Sequence, residues 1–148
     1  MAIEIERKFL VRSGFEHLAV KKTRIRQYYF STDPRRIIRL RITDKKGIIT
    51  FKSDIDSKSL SRNEWEFEIP FETAEEMIKI CLPGYIDKTR YIIPSGHHKF
   101  EVDLFHGKNE GLVIAEIELS SESEEFEKPD WLGEEVTGKP QYYNSNLI

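Results

Sequence analysis

Apolar and polar residues alternate with period two through most of this chain, as expected of strands with one apolar and one polar face. In residues 1–10, Glu4, Glu6 and Lys8 fall on one side, while Ile3, Ile5 and Phe9 fall on the other. Residues 23–31 put Arg24, Arg26 and Tyr28 on one face, and residues 37–43 set Arg39 and Arg41 against Ile38, Leu40 and Ile42. A hairpin turn at 44–47 leads to residues 48–52, which carry Thr50 and Lys52 together. Residues 62–69 alternate Glu64, Glu66 and Glu68 with Trp65, Phe67 and Ile69. Residues 86–93 bring Lys88 and Arg90 to one face. Residues 99–105 set Lys99, Glu101 and Asp103 against Phe100, Val102 and Leu104, and residues 112–119 set Glu116 and Glu118 against Val113, Ala115, Ile117 and Leu119.

One segment breaks the period. Residues 73–82 read as a helix, with Thr73 able to cap it, Glu75 and Glu76 in its first turn and Pro83-Gly84 ending it. Residues 14–20 predict a short helix or turn, residues 54–61 a polar, serine-rich, mobile loop, and residues 120–128 an acidic stretch with a helical turn or two. The tail, 134–148, reads as irregular. About eight strands joined by hairpin-length turns predict a mainly β fold, an antiparallel sheet either closed into a barrel or folded into a sandwich, with a few flanking helices. No repeat or long linker divides the 148 residues, so one domain is expected over 1–148.

Composition narrows the function classes. A net charge of -3 gives no global basic field for nucleic acid. No apolar run approaches the ~20 residues that span a bilayer, and the acidic start at Glu4 and Glu6 does not suit a signal peptide. The single cysteine, Cys81, excludes an internal disulfide and lies in an apolar run, as a core thiol would. The expected location is the cytoplasm. Association as a homodimer is left open.

The polar faces are unusual because they are charged rather than merely polar. They hold Glu4, Glu6, Glu64, Glu66, Glu101, Asp103, Glu116 and Glu118 as acids, and Lys8, Arg26, Arg39, Arg41, Lys52, Lys88 and Arg90 as bases. Acids and bases are largely sorted by strand. Gathered carboxylates suit a hard divalent ion such as Mg²⁺ or Mn²⁺, and gathered guanidinium and ammonium groups suit several phosphates. Periodicity does not tell which face points inward. Either the apolar faces form the core and the charges meet water, or the charges line a lumen whose acids and bases, or bound ions, offset one another.

The segment Glu4-Ile5-Glu6-Arg7-Lys8 resembles the ExExK signature of the CYTH superfamily, the triphosphate tunnel metalloenzymes. Arg39-Leu40-Arg41, Thr50-Phe51-Lys52, Glu64-Trp65-Glu66, Lys88-Thr89-Arg90-Tyr91, Glu101-Val102-Asp103 and Ala115-Glu116-Ile117-Glu118 follow in the order and spacing of that family. The tail from Gln141 to Leu147 resembles its usual ending. The resemblance implies a closed antiparallel barrel with a charged tunnel. It also implies that Glu4, Glu6 and Glu118, with Glu116 and Glu66 nearby, ligate the metal. Lys8, Arg39, Arg41, Lys52, Lys88 and Arg90 would cradle a triphosphate and stabilise charge in catalysis. Glu64, Glu101 and Asp103 would orient these bases or help a second metal. Arg26 is counted with the substrate-binding bases, and Tyr28 has the parity to face the lumen, either tuning a lysine or filling the barrel. His97-His98 reads as a solvated turn because the sequence offers it no evident partner ligand; Trp65 and Trp131 read as packing residues.

The implied activity is metal-dependent hydrolysis of a triphosphate, with inorganic tripolyphosphate as the first substrate because the chain has no large insertion to bind a base or a protein. Competing readings are an adenylate cyclase of the CyaB type, a thiamine or nucleoside triphosphatase, a non-catalytic polyphosphate-binding module, and an interaction barrel with its charges in water.

Overall fold

The computed structural model describes residues 2–55 and 60–148. Among these, nine strands form one antiparallel sheet: β1 (Ala2–Val11), β2 (Lys21–Ser31), β3 (Ile37–Ile42), β4 (Lys46–Asp54), β5 (Ser61–Pro70), β6 (Ile86–Ser95), β7 (His98–Phe105), β8 (Val113–Glu118) and β9 (Leu132–Glu135). The order β5-β4-β3-β2-β6-β7-β8-β1 closes into a ring because the start of β1 pairs with β5, Ala2 opposite Glu64 and Ile5 opposite Ser61. Further along, β9 pairs with β1 at Phe9 and Val11. Closure at Ser61–Glu64 shortens the sheet edges that would otherwise invite association.

The register decides which faces are inside, since residues directly opposite in an antiparallel pair share a face. Glu6 lies opposite Glu118, Lys8 opposite Glu116, and Glu116 opposite Glu101. Arg90 lies opposite Asp103, Arg39 opposite Thr50, Thr50 opposite Glu66, and Lys52 opposite Glu64. The charged faces therefore form one lumen, and the apolar faces look outward under a cover of helix and loops.

That cover explains how an inside-out barrel buries enough apolar surface to fold. On the outer face of β1, β6, β7 and β8, Phe9, Ile93, Phe100, Val102, Ala115 and Ile117 pack with Phe15, Trp131 and Leu132. On the other side, Tyr28, Leu40 and Ile42 pack under helix α1 (Phe71–Met77) through Ala74. A third cluster, Tyr29, Ile37, Ile86, Phe105 and Ile114, meets Tyr142, Leu147 and Ile148 of the tail. Tyr29 and Ile37 share the inward face of Arg39 and Lys52, so this cluster stops one end of the lumen. The outer face of β4 and β5 is less covered: Trp65 and Phe67 are exposed, whereas Trp131 is buried.

Four local expectations are corrected. The helix begins at Phe71, after Pro70, and Thr73 lies within it rather than capping it; a 3₁₀ turn, Ile78–Ile80, continues it. Phe71 packs against the cluster beneath α1, which draws the start of the helix forward. Residues 120–128 form no helix and run as a turn and irregular chain. The tail holds two 3₁₀ turns, Pro140–Tyr142 and Asn144–Asn146, after β9, instead of being wholly irregular. The segment 54–61 is shorter than a loop of that span, since β4 reaches Asp54 and β5 begins at Ser61, and its expected mobility falls on residues 56–59, outside the described residues.

Candidate functional site

Glu4, Glu6, Lys8, Arg39, Arg41, Lys52, Glu64, Glu66, Lys88, Arg90, Glu101, Glu116 and Glu118 all line one cavity of about 360 Å³ inside the barrel. Thr137, Tyr143 and Asn144 of the tail also line it. Strand period alone brings the charged residues there, with every second position of β1, β3, β4, β5, β6, β7 and β8 projecting inward.

The acids and bases remain partly sorted. Glu4, Glu6, Glu116 and Glu118 come from the paired strands β1 and β8. Burial pushes the Glu6 carboxyl well above its usual range, and Glu116 and Glu4 push it further. Burial also raises Glu118, with Glu4 and Glu101 adding to it, and raises Glu4 although Lys52 opposes. Burial raises Glu116 too, but Lys8 leads the opposing cations, and its carboxyl ends well below the usual range. This is a set of hard oxygen donors with more negative charge than its immediate surroundings neutralise, which fits a divalent cation.

The basic side is held by buried ion pairs. Lys88 Nζ lies 2.8 Å from Asp103 and Arg90 forks onto the same carboxylate at 2.8 and 2.9 Å, while a further Arg90 nitrogen reaches Glu101 at 2.9 Å. Asp103 itself lies behind these bases and is almost wholly buried. Burial opposes its charge, but Arg90 and Lys88 hold the carboxyl down at about 2. Burial pushes Lys88 down to about 7 despite Asp103, and pushes Arg41 down to about 9, helped by Arg39 and Arg90. Lys52 bridges Glu4 at 2.9 Å and Glu64 at 3.6 Å. Among the described residues, Arg39 Nε is buried without a hydrogen-bond partner, while Arg39 Nη2 donates to Thr50 Oγ1 at 3.1 Å. Confined cations and an unsatisfied guanidinium N–H make a site suited to a polyanion.

The tail contributes residues that the strand pattern did not single out. Asn144 Oδ1 accepts from Lys88 Nζ at 2.8 Å and from Gln27 Nε2 at 3.4 Å. The Tyr142 carbonyl accepts from Lys8 Nζ at 3.1 Å. Gln27 and Tyr29 are likewise inward-facing, and Gln27 donates to the Tyr29 hydroxyl at 2.7 Å. On β4, Thr50 donates to Glu66 at 2.9 Å, and Arg39 lies 3.7 Å from that carboxylate, so Glu66 sits with the bases at a wet edge.

Two expected site residues point the wrong way. Arg26 and Tyr28 share the outer face of β2: Tyr28 lies opposite Leu40 and stacks on Tyr85, and Arg26 pairs with Glu75 on α1. The inward parity of β2 belongs to Ile25, Gln27 and Tyr29, opposite Lys88, Arg41 and Arg39. On this strand the charged alternation matches the surface beside α1, so charge alone misassigned the face.

The chain matches the CYTH domain over residues 2–146. It is 44% identical over 149 residues to a protein named inorganic triphosphatase from Acetivibrio thermocellus, covering 100% of this chain and 94% of that protein. It is 36% identical to a protein of the same name from Nitrosomonas europaea, covering 97% and 95%. A solved inorganic triphosphatase structure superposes with a TM-score of 0.68 at 32% identity, covering 97% of this chain and 95% of that one.

Proposed function

Because this chain belongs to the CYTH family, we propose that its lumen hydrolyses a triphosphate, inorganic tripolyphosphate, to diphosphate and phosphate. The observation that carries the reading is the single cavity in which Arg39, Arg41, Lys88 and Arg90 face Glu4, Glu6, Glu116 and Glu118. Two relatives that match nearly all of the chain bear the name inorganic triphosphatase. The family implies a divalent metal, and the crowded carboxylates fit one; we assign it as Mg²⁺ or Mn²⁺, held by Glu4, Glu6, Glu116 and Glu118. When bound, such an ion neutralises phosphate oxygens and orients them for attack by water.

The remaining chemistry falls to the chain's own residues. Arg39, Arg41, Lys52, Lys88, Arg90 and Lys8 hold the substrate's oxygens and stabilise charge on the transferring phosphoryl group, as positioned cations do in phosphoryl transfer. Asp103 and Glu101 fix Arg90 in one orientation, so its N–H groups need no reorganisation during reaction. No nucleophilic side chain is needed. We take residues 1–148 as one domain acting in the cytoplasm on a small molecule.

The test is a substrate panel with Mg²⁺ or Mn²⁺ added: phosphate release from tripolyphosphate, ATP and thiamine triphosphate, and cyclic AMP from ATP. Phosphate release should be fastest on tripolyphosphate and stop on chelation. Tight tripolyphosphate binding without turnover would make the lumen a binding module instead, and cyclic AMP as the main product would make it a cyclase.

A further inference from the structure

The β6–β7 hairpin carries chemistry that the lumen does not use. Pro94, Ser95 and Gly96 turn the chain so that His97 and His98 project beside each other, with ring centroids 4.5 Å apart. The 120s segment, read from the sequence as an acidic stretch, comes back over this hairpin and brings Glu124 to the two rings. One ligand atom from each of His97, His98 and Glu124 lies within 4.8 Å of the others. The sequence reading of His97-His98 as an unpartnered turn is therefore corrected: its partner is supplied 26 residues along the chain.

The carboxylate is pre-arranged. Glu124 Oε1 accepts the Ser120 backbone N–H at 2.6 Å, while Oε2 contacts His98 Nε2. The His98 contact and the Ser120 N–H keep Glu124 below the usual carboxylate range. His98 is largely covered, with Phe126 at its edge, and His97 is exposed, so a cation could reach the cluster from solvent. We propose that His97, His98 and Glu124 form a second metal site, separate from the lumen, for a borderline transition ion such as Zn²⁺ or Co²⁺.

The donor chemistry separates this site from the tunnel. Two imidazoles and one carboxylate favour Zn²⁺, Co²⁺ or Ni²⁺, whereas the all-carboxylate set of the lumen favours Mg²⁺ or Mn²⁺. Three protein ligands leave at least one position for water. A bound ion would tie the 120s segment to the β6–β7 hairpin. That segment also meets the chain just before β5, where Glu122 accepts the Leu60 backbone N–H at 3.1 Å, and Leu60 and Lys99 both line the cavity. The ion would thus fix a strap across one side of the tunnel mouth.

The experiment titrates Zn²⁺ into the whole, metal-stripped protein in excess Mg²⁺, which occupies the lumen carboxylates. Imidazole NMR signals of His97 and His98 should shift while those of His17 and His106 stay in place, and the Tm should rise. Separate His97→Ala and Glu124→Gln variants should each weaken Zn²⁺ binding by at least about tenfold, and both should keep the parent fold because the two side chains lie outside the packed clusters. Unmoved His97 and His98 signals, or variants that bind Zn²⁺ as tightly as the parent, would overturn the site and leave a plain His98–Glu124 ion pair. Failure of the triphosphatase reading would change neither readout.

Discussion

Glu6 is a lumen carboxylate crowded by Glu116 and Glu4. Its carboxyl is raised by burial first and then by Glu116 and Glu4, so a proton competes with a cation for it above the usual carboxylate range. Metal affinity should therefore fall as pH drops through that raised value, and metal binding should release protons. Calorimetry in two buffers of different ionisation enthalpy measures the release. Glu6→Gln should keep the fold, weaken Mg²⁺ binding and reduce the proton release; undiminished release in that variant would take the ligand role away from Glu6. Asp103 behaves in the opposite sense. Its folded value of about 2 lies below the usual 3.8, so the stability it adds is present above about pH 4 and is lost as pH falls through 2. Asp103→Asn strands Lys88 and Arg90 in a buried place and should cost about 3–5 kcal/mol by denaturant melts. Glu66→Ala should cost far less, within about 1 kcal/mol, because Glu66 is 45% exposed beside Arg39.

At the scale of elements, the strands were legible because period two is a strong signal, and because seven of the eight barrel strands carry most of their charges inward. β2 was the exception. Its outward residues are Arg26 and Tyr28, paired with α1 and Tyr85, and no alternation rule can tell a base that meets a covering helix from one that meets a phosphate. β9 escaped notice for a different reason: four residues with Gly133 at their second position carry too short a pattern. The tail's role was hidden because Asn144 acts through hydrogen bonds from Lys88 and Gln27, which leave no periodic trace. The contact between α1 and β4 is likewise invisible in sequence. A Cβ at Gly47 would stand 2.5 Å from the Cβ of Ala74 and 2.9 Å from Ile69, so the helix lies directly on the strand at a position only glycine fits. Gly47→Ala should lower stability by about 1–3 kcal/mol, read from the urea midpoint, without changing the metal affinity of the distant carboxylates. A neutral Gly47→Ala would mean that α1 can shift off the barrel at little cost.

The whole molecule is a compromise between an apolar exterior that folds it and a charged interior that resists being empty. Arg41 shows the strain: burial, then Arg39 and Arg90, bring its guanidinium down to about 9. Such crowding disfavours the empty fold and is relieved when a polyanion enters, so stability and ligand binding should trade against each other at the same residue. Tripolyphosphate binding only the native state should stabilise it by about 2.7 kcal/mol at a hundredfold excess over Kd. Arg41→Met keeps most of the side-chain volume and removes the charge. It should raise the Tm of the ligand-free protein while shrinking the rise caused by tripolyphosphate, and both can be read in one set of melts with and without ligand. The two changes together are what distinguish a cation held for a substrate from one held for structure. A structural arginine would give a lower ligand-free Tm with an undiminished ligand shift, and that pattern would remove Arg41 from the binding site.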